Sequence, residues 1–126
     1  MIISPPKVYE VNGEVCPVRS SVVSSVIANN VVVVAAATGR RVRLMGLMGF
    51  ANTAAGLSQI LFKDGSGGAY ITNGILLDIN TKPTLGLIMP IVDSGYCESS
   101  TGNALCVDIL SASAAFTVFY IDYKVS

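Results

Sequence analysis

The side chains able to do chemistry in this sequence are few, and their spacing limits what they could be used for. Eight carboxylates are present: Glu10, Glu14, Asp64, Asp78, Asp93, Glu98, Asp108 and Asp122. Glycoside hydrolysis needs two of them facing each other across a cleft. Glu98 and Asp108 are the pair that folding could bring together, but each reads better as a solvent-facing strand residue. There is no histidine. Its absence removes the Ser-His-Asp and Cys-His nucleophile systems and every His-containing zinc site. The expectation is a protein that is not an enzyme, with no catalytic residues, no metal site and no cofactor.

Cys16, Cys97 and Cys106 do not have the spacing of a metal site. If residues 95–111 form a hairpin with Thr101-Gly102 at its tip, Cys97 faces Cys106 closely enough for a disulfide. The competing reading makes both small, reduced apolar side chains. In a sandwich whose strands cross between sheets, they need not face each other at all. Asp64-Gly65-Ser66-Gly67 lacks the further acidic ligands of a calcium loop. It also lacks the Gly-Lys-Ser/Thr ending and the following helix of a phosphate loop. It reads as a hairpin turn. Arg40, Arg41 and Arg43 form the basic cluster. Arg41 and Arg43 share a strand face, where they could pair with a partner's carboxylates or simply start a solvated strand. The tyrosines are scattered and there is no tryptophan, which favours core or subunit interface over a stacked sugar platform.

The elements that must position these groups are strands. Residues 1–17 hold Pro5, Pro6 and Pro17 and read as an extended N-terminal arm with a short strand near residues 7–11. Residues 18–126 read as one β-sandwich domain. Val22, Val23, Val26 and Ile27 mark the first strand of that domain, with Asn29-Asn30 as its turn. The β-branched run 31–37 fits a pleated strand buried on both sides better than a helix. Residues 41–50 alternate, and Gly46 and Gly49 point to a bulge or a close neighbouring backbone. A small-residue loop is expected at 52–56, a strand at 57–62, one at 69–79 interrupted at Asn73-Gly74 by a turn or bulge, and one at 85–89 that Pro90 limits to an edge or a strand end. Leu105, Val107 and Ile109 alternate with Cys106 and Asp108, the mark of a strand with one buried face. In residues 115–125 both faces are apolar, so one faces the core and the other a subunit. The pattern predicts an all-β fold: an antiparallel β-sandwich of about eight strands, jelly-roll-like.

Composition bears on partners. The chain has 126 residues, zero formal net charge, 13% charged and 52% apolar residues. With no basic excess, nucleic-acid binding is not expected. The longest apolar run is far shorter than the ~20 residues that cross a bilayer, so no membrane partner is expected either. The start of the chain lacks the basic and apolar regions of a secretion signal, which points to synthesis in the cytoplasm. Sparse charge is typical of interface cores. It favours a chain whose surface is covered by other copies, with a Ser/Thr/Asn-rich exposed face as the other explanation. Ile2, Ile3, Val8, Tyr9, Arg40, Arg41, Arg43, Phe119 and Tyr123 are the interface candidates.

Several motifs carry a resemblance. They are Phe62-x-Asp64-Gly65-Ser66-Gly67, Gly74 with Leu76, Gly95-Tyr96-x-Glu98-Ser-x-Thr101-Gly102-Asn103-Ala104-Leu105, and Val118-x-Tyr120. Together they resemble small β-sandwich virion proteins of tailed bacteriophages, over roughly residues 31–123. In one respect the chain departs from that pattern. It is one residue longer at Ile109-Leu110, which predicts a bulge there. The resemblance implies a structural role, as a capsid decoration (cement) protein that stabilises the head across junctions of the major capsid protein. It implies a homotrimer on the capsid surface of a virion assembled in the host cytoplasm, and it carries no catalytic residue. The alternative is a tail-associated or host-recognition module that binds a glycan through end loops such as 52–56 and 63–68.

Overall fold

The computed structural model describes residues 8–51, 57–78 and 87–125. Strands β1 (Val8–Val11) and β2 (Glu14–Pro17) form a two-stranded antiparallel hairpin. Asn12 and Gly13 join them at φ 52° and 77°, the left-handed pair that tight hairpin turns demand and that Asn-Gly adopts at small cost. The described part of the expected extended arm is therefore folded back on itself. The remainder of that arm, with Ile2 and Ile3, lies outside the described residues.

The other strands are β3 (Arg19–Ser25), β4 (Ala28–Val34), β5 (Arg40–Ala51), β6 (Leu57–Asp64), β7 (Ile75–Asp78), β8 (Leu87–Met89), β9 (Cys97–Glu98), β10 (Leu105–Leu110) and β11 (Ala114–Lys124). They form two antiparallel sheets, β4-β10-β6-β7 and β3-β11-β5-β8, with β9 also pairing β5. With the hairpin and β9 set aside, eight strands remain. Numbered 1 to 8 along the chain, they run 1-8-3-6 in one sheet and 2-7-4-5 in the other. That is jelly-roll order, so the fold is the all-β sandwich that the spacing of strands and turns leads one to expect. No helix among the described residues is long and apolar enough to cross a membrane.

The core lies between the sheets. Val42, Leu44, Leu47, Phe116 and Val118 from one sheet meet Ile60, Phe62, Leu77, Val107 and Ile109 from the other. Phe62 and Phe116 meet edge to face across the gap, their centroids 6.3 Å apart. In β5, Leu44 pairs with Tyr120 and Gly46 with Phe119, so Met45 is an extra residue in the ladder. The bulge turns Met45 away from the main core. It is buried instead in a second cluster with Cys16, Ile121 and Tyr123, packed by Tyr9, Val11 and Val18. The outer side of the end of β11, expected to be covered by a subunit, is thus covered by the chain's own hairpin.

Several local expectations shift. The first sandwich turn falls at Val26-Ile27, and Asn29-Asn30 lie inside β4. Strand β4 is an edge strand, so Val32 is exposed and the run is not buried on both sides. Strand β8 is an edge strand, as Pro90 predicts. Strand β10 pairs with β6 in unbroken register through Leu110, so the bulge expected at Ile109-Leu110 is absent there. The irregularities lie in the facing β4, which spends three residues on the step that β10 makes in two between Val107 and Ile109. Cys97 and Cys106 do not face each other, because β9 and β10 belong to opposite sheets; all three cysteines are free thiols. The expected loop at 52–56 lies outside the described residues.

Candidate functional site

The sequence places one charge in the apolar strand Leu105–Leu110, at Asp108. Its side chain leaves the core face, yet only 3% of Asp108 is exposed. The expectation of a solvent-facing residue fails because β10 is a central strand and the turn after β6 folds over it. Lys63 is the second charge there, itself 8% exposed. Its Nζ lies 3.4 Å from Asp108 Oδ2 and donates to Asn30 Oδ1 at 2.7 Å. The Tyr70 hydroxyl donates to Asp108 Oδ2 at 2.7 Å, and the Asn30 N–H donates to Oδ1 at 2.8 Å. Burial acts to raise the Asp108 carboxyl, but the Asn30 N–H, the Tyr70 hydroxyl and Lys63 outweigh it and hold it below its ordinary value. Asn30 stands in the irregular stretch of β4 at φ 58°, and a bulge is a common device for re-aiming a side chain.

A second constellation pins the loops. Asp64 closes β6, and its carboxylate accepts from Ser100 N at 2.7 Å, from Ser100 Oγ, and from Asn103 Nδ2 at 3.1 Å. Gly65 N donates to Ala104 O at 2.9 Å. The Asp-Gly-Ser-Gly turn and the Ser-Ser-Thr-Gly-Asn turn, far apart in sequence, are therefore stapled together. Gly65, Gly67 and Gly102 hold positive φ in these turns, as a hairpin-turn reading of Asp64-Gly65-Ser66-Gly67 requires.

The arginines pair within the chain. Arg40 bonds Glu14 through both terminal nitrogens and reaches Asp122 at 3.2 Å. Arg41 and Arg43 both reach Glu98, at 3.4 and 3.3 Å. The Tyr123 hydroxyl donates to Glu98 as well, and the Arg43 guanidinium lies 4.9 Å from the centre of the Tyr123 ring. Glu98 and Asp108 belong to different sheets and do not form a catalytic pair. Among the other interface candidates, Val8 is exposed and Tyr123 buried. Tyr9 packs on the second cluster and donates to Asp93 at 2.9 Å. Phe119 is half-buried on the outer face, opposite Gly46 and Ser20.

Sequence reasoning missed the Lys63–Asp108–Asn30 group. The available signal was the lone charge, Asp108, in the otherwise apolar strand β10. Among the described residues no cluster of metal-ligating side chains occurs, and every buried side-chain nitrogen or oxygen has a hydrogen-bond partner. Comparison with protein-family models, curated proteins and solved structures returned no match.

Proposed function

We propose that this chain is a structural virion protein, a capsid decoration protein that acts by covering surface on copies of itself and on the major capsid protein. The observation that carries the reading is a row across the outer face of the five-stranded sheet. Val22 of β3 faces Thr117 of β11, Thr117 faces Met48 of β5, and Met48 faces Ile88 of β8. Val22 is 75% exposed, Met48 45% and Ile88 59%. Scattered apolar side chains need no explanation, but a contiguous exposed row marks an interaction surface. The internal pairing of Arg40, Arg41, Arg43 and Lys63 also supports it, because it leaves few of the chain's charges for this face.

The test is oligomeric state and capsid binding. Light scattering is expected to give a trimer for the native chain, and Met48→Lys a monomer with unchanged circular dichroism. The native chain is expected to bind expanded phage capsids saturably. A strictly monomeric native chain with no affinity for capsids overturns the reading.

A further inference from the structure

We infer that Lys63 and Asn30 form an intramolecular isopeptide cross-link, an amide between Lys63 Nζ and Asn30 Cγ that the folded chain makes itself with release of ammonia. The parts are those of an amide exchange. Lys63 Nζ is the nucleophile and sits 2.7 Å from Asn30 Oδ1, one bond from the carbon it would attack. The Asn30 amide is the electrophile. Its oxygen also accepts the Gly67 N–H at 2.8 Å, so a backbone donor already points at the atom where negative charge develops. Two donors converging on one amide atom identify that atom as the oxygen and leave Nδ2 as the leaving group.

Asp108 is the proton carrier. It lies on β10, between the strands of Asn30 and Lys63, with Oδ2 3.4 Å from Lys63 Nζ. The Tyr70 hydroxyl and the Asn30 N–H hold the carboxylate in place. Both residues are buried, and the carboxylate lies within reach of the proton that Nζ must give up. Such fixed placement supplies the high effective concentration that an uncatalysed amide exchange lacks.

The step balances without a co-reactant. The Lys63 ammonium gives one proton to Asp108, and the free Nζ lone pair attacks Cγ. The tetrahedral intermediate carries its charge on Oδ1, facing Gly67 N–H. Asp108 passes its proton to Nδ2 while Nζ loses a second proton to the same carboxylate. The Cγ–Nδ2 bond breaks, the Nζ–Cγ bond remains, and ammonia leaves; no electron changes owner. Among the described residues Nδ2 has no hydrogen bond, and no buried polar atom lacks one, so Nδ2 touches solvent and ammonia has a way out. Its dilution makes the exchange one-way. The product ties edge strand β4 to β6 across β10. It does not depend on the capsid reading.

Intact mass spectrometry of the full chain, denatured after folding at neutral pH, tests the link. The native chain is expected to weigh less than its sequence by one ammonia, and digestion to yield one branched peptide joining Asn30 to Lys63. Lys63→Arg and Asp108→Ala are each expected to show the full sequence mass. A native chain at full sequence mass after prolonged folding overturns the inference, whether or not the variants fold. So does an ammonia loss that persists in Lys63→Arg, or one that yields no branched peptide.

Discussion

The carboxylate of Asp64 accepts the backbone N–H of Ser100 at 2.7 Å, across 36 residues of chain. The same carboxylate also takes the Ser100 hydroxyl and the Asn103 amide, so one side chain fixes the relation of two turns. Asp64→Ala removes all of these acceptors at once and leaves the Ser100 N–H to find water. The expected cost is about 1–3 kcal/mol, read as a lower urea midpoint with unchanged slope.

Gly49 lies against Phe116. A Cβ at Gly49 would stand 2.3 Å from that of Phe116 and 2.8 Å from the Ala115 carbonyl, on a backbone that cannot step aside. At Gly13 a Cβ would meet nothing within 4 Å, although the φ of +77° makes the conformation strained. Gly49→Ala is therefore expected to destabilise the chain by about 3 kcal/mol and Gly13→Ala by only about 1 kcal/mol. Thermal denaturation of the two variants side by side checks the order.

Acid should unfold this protein in a predictable sense. The Arg40 guanidinium holds Glu14 below its ordinary value. Asp64 and Asp108 are held below theirs by hydrogen bonds that outweigh burial. A carboxyl whose folded value is depressed stabilises the fold fully above its unfolded value, and loses that contribution as pH falls through the folded one. Urea midpoints should stay level from about pH 7 to about pH 5, then fall steeply below about pH 4.

The thiols are expected to be inert in the folded chain. Burial first, then the charge of Glu98, pushes Cys97 up to about 12. Burial also raises Cys16 and Cys106. Because the thiolate is the reactive form, native chain near pH 8 should take up almost no iodoacetamide, whereas denatured chain takes up three equivalents. Rapid native labelling at Cys97 would contradict this.

The hairpin contributes stability even in an isolated chain. Deleting residues 1–17 uncovers Met45 and Ile121, now fully buried, and removes the Glu14 partner of Arg40. Exposing those two side chains costs about 1.5–3 kcal/mol each. The melting temperature should fall by roughly 10 °C or more.

Much of the fold was legible because period-two alternation and Gly/Asn/Pro turns are local signals. The eight sandwich strands follow from them, and so does the edge position before Pro90. What was not legible depends on which strands become neighbours. Tyr123 and Ile121 look like interface residues until the Asn12-Gly13 turn folds residues 8–17 over them. Asp108 looks solvent-facing until Lys63, Tyr70 and Asn30 close over it from separate segments. Which of the two readings of Cys97 and Cys106 holds is decided only when the crossover sends β9 and β10 to opposite sheets. The outward row of Val22, Met48 and Ile88 needs three strand pairings before it becomes a row.

The place of β11 carries one more consequence, for the order of events during synthesis. Among the described strands β11 comes last in sequence and is not an edge strand; it fills the gap between β3 and β5. On the ribosome, the facing edges of β3 and β5 must wait unpaired until β11 emerges. Non-local pairing of this kind makes folding slow and leaves strand edges open meanwhile. Emergence of β11, rather than completion of any earlier segment, is thus the event that closes the sandwich. A chain truncated before Ala114 would keep two open strand edges and would be drawn toward aggregation.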